Sequence, residues 1–100
     1  MKRLRLRPVR IQYRFKATKQ FWKAFHGLPI AQKALAREKF KVFKDDPYHP
    51  SLKAHKIQKL SVAYKKRIMS VAIEGDLRAV FFQEGDVIFT VDIGNHTIYR

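Results

Sequence analysis

The sequence predicts an α+β domain of order β-α-α-β-β-β, a mainly antiparallel four-stranded sheet with a helical hairpin packed on one face. Three observations predict it. Residues 9 to 15, VRIQYRF, alternate strictly between apolar and polar. Two apolar repeats at helical spacing follow, separated by little more than Gly27-Leu28-Pro29. Three short runs of β-branched and aromatic residues then fill 67 to 93, divided by Glu74-Gly75-Asp76 and Glu84-Gly85-Asp86.

Each element has a local reason. In the first strand Val9, Ile11, Tyr13 and Phe15 share one face and Arg10, Gln12 and Arg14 the other, the pattern of a half-buried strand. Thr18 can cap the helix that follows. Phe21, Trp22, Phe25 and Leu28 repeat along its apolar side, and Gly27 suits its C-terminus. Pro29 fits the first turn of a second helix, where a missing N–H costs nothing. Leu35, Ala36, Phe40, Val42 and Phe43 form that helix's apolar face, with Lys39 inside the arc. Asp46 precedes Pro47 and is pushed out of the α region, so the helix stops there. A connection this short makes the two helices an antiparallel hairpin. RIMSVAI (67 to 73), LRAVFFQ (77 to 83) and VIFTVDI (87 to 93) complete a meander through two glycine turns. One face of the sheet, or one end of it, is left for function.

One hundred residues with 46% apolar content, including eight Phe, four Tyr and one Trp, make a single domain, 1–100, with a core of its own. Charge narrows the function further. Twenty-two Lys and Arg stand against eight Asp and Glu, a formal net charge of +14. Residues 1 to 20 carry eight cations and no acid, and 47 to 73 carry Lys53, Lys56, Lys59, Lys65, Lys66 and Arg67, again without acid. Such an excess repels itself and is relieved by a polyanion, a nucleic acid or an acidic protein. No cysteine is present, which excludes disulfide and thiolate chemistry. No apolar run approaches a membrane span, and the basic start MKRLRLRPVR is not followed by an apolar signal core. A cytoplasmic protein with no membrane partner is expected.

Several residues carry chemistry beyond packing. Arg78 shares a strand face with Val80 and Phe82. An arginine there is either exposed or paired, with Asp92 or Asp76 as partners, or it is a guanidinium held on a rigid strand to grip a phosphate. HPSLKAHKIQKL (49 to 60) gathers His49, Lys53, His55, Lys56 and Lys59 on one connection, which is either a solvated loop or a phosphate-binding edge. His49, in DPYHP, reads as a turn residue. The histidine spacing matches no common metal set. At the end of the chain, VDIGNHTIYR places His96 and Tyr99 just past the last strand. They are either an incidental tail or a pair of proton-transfer groups.

Taken in order, FWKAFHGLP, DPYHPSLKAHKIQKL, GDLRAVFF and VDIGNHTIYR resemble the RelE/ParE superfamily of toxins from bacterial and archaeal toxin–antitoxin pairs, over about residues 9 to 100. The resemblance implies an endoribonuclease that cuts mRNA, often on the ribosome and so in contact with rRNA, by attack of a 2′-hydroxyl on its adjacent phosphate, with no metal and no cofactor. It also implies an acidic antitoxin as partner. By position, Arg78 matches the strand arginine that binds the scissile phosphate. His96 matches the G-x-H histidine and His55 the K-x-H histidine of the YafQ-like branch. Tyr99 falls near the C-terminal aromatic of both branches. Lys53 and Lys56 lie where RelE-like members place catalytic lysines. Asp76 matches a YafQ-like acid or is a plain turn aspartate, and Arg67, with Lys59 and Lys53, adds RNA-binding cations. The catalytic set implied is therefore His96, Arg78, His55, Tyr99 and Lys56. The chain departs from the pattern at Ser61, where relatives carry the glycine of K-L-x-G, in stopping right after Tyr99, and in its long basic start. The alternatives on the same fold are a ParE-like inhibitor of DNA gyrase and a noncatalytic basic module that binds nucleic acid.

Overall fold

The computed structural model describes residues 12–95 and Ile98. Strand β1 (Arg14–Ala17) is followed by helices α1 (Lys19–His26) and α2 (Ile30–Asp45) and a 3-10 turn, Pro50–Leu52. Then come β2 (His55–Lys56), α3 (Gln58–Tyr64), β3 (Met69–Glu74), β4 (Leu77–Glu84) and β5 (Val87–Gly94). The expected α+β class holds, but the sheet has five strands, in the order β1-β5-β4-β3-β2. It is mixed and not purely antiparallel, because β1 runs parallel to β5. The helical hairpin separates β1 from the meander, so no tight turn dictates the direction of β1. Of the expected first strand, residues 9–11 lie outside the described residues, as does the basic start.

Local chemistry sets most boundaries as the sequence predicts. Thr18 Oγ1 accepts the Phe21 N–H (3.1 Å) and donates to the Val91 carbonyl (3.0 Å), so one hydroxyl caps α1 and ties it to β5. Gly27 closes α1 with its N–H on the Lys23 and Ala24 carbonyls, in a right-handed conformation that does not call on glycine's freedom. Pro29 sits at the N-cap of α2, one position earlier than the first turn. Asp46 ends α2 in extended backbone ahead of Pro47. The hairpin is antiparallel: Phe21 meets Phe40 (5.7 Å between ring centroids), while Phe25, one turn on, lies under Arg37, nearly one turn back. Glu74 pairs with Leu77 and Glu84 with Val87, which leaves two-residue loops with Gly75 (φ 53°) and Gly85 (φ 62°) first. Only a residue tolerant of positive φ suits that position.

The larger core lies between this hairpin and the sheet. Phe43, Ala36, Leu52, Val71, Ala79, Phe81 and Ile88 are essentially buried there, and the Phe43 and Phe81 rings meet at 5.2 Å. Trp22 and Leu35, expected on apolar faces, are 48% and 41% exposed.

The opposite face is not free, because α3 covers its middle. Leu60, Ile68, Val80 and Val91 form a second buried cluster, with Ile57, Phe82 and Ile98 against it. Ser61 fastens α3 down: its Oγ accepts the Ile68 N–H (2.9 Å), and the Ile57 N–H donates to the Ile68 carbonyl (2.8 Å). The serine that stands in place of the expected glycine is thus a structural tether. Among the described residues no buried side-chain nitrogen or oxygen lacks a partner, and no helix is long and apolar enough to cross a membrane.

Candidate functional site

The open end of the sheet is built by register. Arg78 on β4 stands opposite Ala72 of β3 on one side and Gly94 of β5 on the other. It shares its face with Val80 and Phe82, as the alternation predicts, and is half-buried. Two small neighbours leave its long side chain room to reach the sheet's end. One guanidinium N–H donates to the Gly75 carbonyl (3.2 Å), so a backbone oxygen orients the group and leaves further N–H donors for a ligand. Asp92, a candidate ion-pair partner by sequence, instead accepts the N–H of Ile93 (2.8 Å).

The 3-10 turn and β2 bring the next two groups. Leu52, fully buried, pins the turn, and Lys53 closes it in the left-handed region (φ 51°, ψ 47°). That conformation costs a non-glycine residue about 1–2 kcal/mol. His49 Nδ1 accepts the Ser51 N–H (3.1 Å), the turn role expected of it. His55 lies opposite Ser70 across β2 and β3. Its Nδ1 is 3.1 Å from the Lys53 carbonyl, which only accepts. Nδ1 therefore carries a hydrogen, and Nε2 is the nitrogen free to take or give a proton.

These residues face one concavity of about 550 Å³, lined by Lys39, Ser51, Lys53, His55, Glu74 and Arg78, with Ala72, Ile73 and Gly75. Three permanent cations meet one carboxylate there, which favours an anionic guest. Lys39 and Glu74 were not singled out as site residues by sequence. The signal for Lys39 was its place inside the apolar arc of α2, where it looked like an imperfection. Half-buried on α2, it lines the same concavity as Lys53.

The structure divides the remaining predicted residues. Lys56 follows His55 along β2, so its side chain takes the other direction. It lines a separate concavity with Lys65, Lys66 and Arg67. Arg67 precedes Met69 at the far end of β3 from Ala72, about 16 Å away by strand rise. Lys59 is exposed on α3 and lines neither concavity. Asp76 lies beside Gly94 and Ile98 in a third hollow. His96 and Tyr99 lie outside the described residues. Among the described residues no group of three or more His, Cys, Asp or Glu is placed to hold a metal ion.

No protein-family model and no curated protein sequence matches the chain. Solved structures do. The archaeal RelE of a RelE–RelB complex from Pyrococcus horikoshii matches with a TM-score of 0.62 at 20% identity, covering 84% of this chain and 94% of that one. A conserved hypothetical protein from Helicobacter pylori matches at 0.61 and 19%, covering 85% and 96%. YoeB from Staphylococcus aureus, solved as a dimer, matches at 0.58 and 13%, covering 85% and 98%. Over most of its length, then, the chain has the fold of the archaeal RelE and of YoeB.

Proposed function

We propose that this protein is a RelE-like toxin that cleaves mRNA, on or near the ribosome, and is held inactive by an acidic antitoxin. One observation carries the reading: Lys39 from α2, Lys53 just past the 3-10 turn, His55 from β2 and Arg78 from β4 converge on one open end of a sheet of this fold. Scission of a phosphodiester by its own 2′-hydroxyl needs what that end offers. The O2′–P bond forms and the P–O5′ bond breaks. A base takes the 2′ proton and an acid returns one to O5′, leaving a 2′,3′-cyclic phosphate and a 5′-hydroxyl.

In this reading Arg78 grips the scissile phosphate through the N–H groups not spent on Gly75. Lys53 and Lys39 offset the charge that builds on its oxygens, and His55 Nε2 moves one proton. The second proton-transfer group is drawn from His96 and Tyr99 on the strength of the resemblance. A preorganised donor at such a centre contributes about 2.7–4 kcal/mol, or 10²–10³ in rate. A shallow site suffices if the ribosome positions the strand, because orientation supplies several kcal/mol more. The RelB bound to the archaeal RelE supports an antitoxin partner here.

The test maps mRNA 5′ ends in a translation reaction with wild type and Arg78→Ala. Wild type should cut, with Arg78→Ala at least about 10²-fold slower, and a 2′-deoxy substitution at the cut position should abolish cleavage. Absence of cutting by wild type, with block of DNA supercoiling in its place, would overturn the reading in favour of gyrase inhibition.

A further inference from the structure

A second concentration of cations is left unused by the scission site. Lys56 from β2, Lys65 and Lys66 from the end of α3, and Arg67 from the approach to β3 line one open concavity of about 340 Å³. Their backbone is fixed. The Lys65 N–H bonds the Val62 carbonyl (3.3 Å) and the Lys66 N–H the Ser61 carbonyl (3.2 Å), while Ser61 itself is tied to Ile68. The Lys66 ammonium pairs with Glu84 and lies 5.2 Å from the centre of the Phe82 ring. Among the described residues it is the only one of the four with an ion pair. Gathering these charges repels, and Glu84 offsets only the one at Lys66.

The concavity has the character of a backbone-binding surface. It is shallow and open, it holds both ammonium and guanidinium donors, and Val62 is the single aliphatic residue among its lining side chains. A more apolar groove lies elsewhere among the described residues, lined by Phe15, Phe21, Trp22, Phe25, Phe40 and Phe43. It also adjoins the scission site, because His55 and Lys56 are consecutive on the edge strand and face opposite ways. We infer that Lys56, Lys65, Lys66 and Arg67 form an anchor for the RNA phosphate backbone, separate from the scission site and holding the strand beyond the cut. The inference rests on the reading that the protein acts on RNA.

The test uses a fluorescent single-stranded oligonucleotide, 2′-O-methylated throughout so that it cannot be cut, with anisotropy read across a salt series. The variant is Lys56→Ala/Lys65→Ala/Arg67→Ala, which spares Lys66 and its packing on Phe82. A control, Lys19→Ala/Lys23→Ala/Lys33→Ala, removes equal charge from the helical side. Circular dichroism verifies that both are folded. Each phosphate contact on a single strand contributes a salt slope of about 0.7, so the variant should lose about 2 from the slope. It should bind about ten-fold or more weakly at 0.15 M salt, and the control should keep most of its slope. An unchanged slope, or an equal loss in the control, overturns the anchor. So does displacement of the RNA by a poly-glutamate peptide that the triple variant no longer binds, which would assign the patch to an acidic protein. Cleavage of unmodified RNA by wild type is scored separately. Slope loss without any cleavage sinks the nuclease and keeps the anchor, whereas cleavage without slope loss sinks the anchor alone.

Discussion

Gly94 ends the strand that borders Arg78, and its substitution by alanine tests how Ile98 is held. A Cβ at Gly94 would stand 2.7 Å from Cγ2 of Ile98. Ordinary contact begins near 3.4 Å, so one of the two must yield by about 0.7 Å. Ile98 is β-branched and stiff at χ1, and it is lodged against the Leu60–Ile68–Val80–Val91 cluster, so it cannot swing aside in place. Undocking it forfeits about half of the 1.5–3 kcal/mol that full burial of an isoleucine contributes. The Ile98 N–H bond to the Asn95 carbonyl (3.1 Å) goes with it, at a further ~0.5–1.5 kcal/mol. Gly94→Ala should therefore cost about 2 kcal/mol, and Ile98→Ala about 1–2 kcal/mol. In the double variant the new methyl enters the space Cγ2 has left, so the pair should cost no more than Ile98→Ala alone. Urea unfolding followed by the fluorescence of Trp22 measures all three. The reasoning fails if the two single effects add to within about 0.5 kcal/mol, because residues not in contact behave that way. His96 and Tyr99 bracket Ile98 in sequence, so under the proposed function RNA cleavage should fall in Gly94→Ala as well.

Thr18→Ala removes the α1 cap and the bond to Val91 together and should lower stability by about 1–2 kcal/mol in urea, with Thr18→Ser restoring most of it. Lys39→Ala should leave the unfolding midpoint nearly unchanged yet slow RNA cleavage about ten-fold or more; a stability loss with no rate effect would make Lys39 a packing residue. Burial raises the Tyr48 phenol above its usual range, with Tyr13 and Asp46 acting the same way against Arg67. The folded state then holds that proton more tightly than the unfolded chain, so the contribution is whole below about pH 10 and fades as pH rises through the folded value. Urea midpoints at pH 9 and 11 should diverge less in Tyr48→Phe than in wild type.

What could be read from sequence was what neighbouring residues decide among themselves. Thr18 caps because of its own hydroxyl, Asp46 stops α2 because proline follows it, and Gly75 and Gly85 turn the meander because each takes a positive φ. The direction of β1 has no such local cause. Its partner β5 comes some seventy residues later, and Arg14–Val87 to Ala17–Thr90 is a register no short pattern records. Elements β2 and α3 were missed for a related reason. Two residues make no alternation, and in α3 the helical spacing of Ile57, Leu60, Ser61 and Tyr64 is masked by a serine in an apolar slot and by Val62 and Tyr64 left exposed. Within the site, Arg78 was visible because a charge on an apolar strand face needs explaining. Lys39 looked like a fault in an amphipathic helix, and only the sheet beneath it brings that lysine into one concavity with Arg78. His55 and Lys56 were grouped because they are adjacent, which is the relation that separates them on a strand.

That separation makes α3 part of the site's construction although it contributes no residue to it. Strand β2 is an edge of only two residues, too short to hold its own register by pairing. A slip of one position would turn Lys56 toward Arg78 and send His55 to the other side. What opposes the slip is the junction that follows: the Ile57 N–H donating to the Ile68 carbonyl, the Ile68 N–H donating to the Ser61 hydroxyl, and Leu60 buried on Val80 and Val91. The first two reach the sheet through Ile68 and the third through Val80 and Val91, and all would be broken or strained by a shift of β2. On its other side the strand is held by Leu52, buried under the turn that also sets Lys53 and so the carbonyl that orients His55. An imidazole on an exposed edge is thereby fixed in position and tautomer by buried groups before and after it. That is the preorganisation a shallow cationic site requires if it is to act on a phosphate without enclosing it.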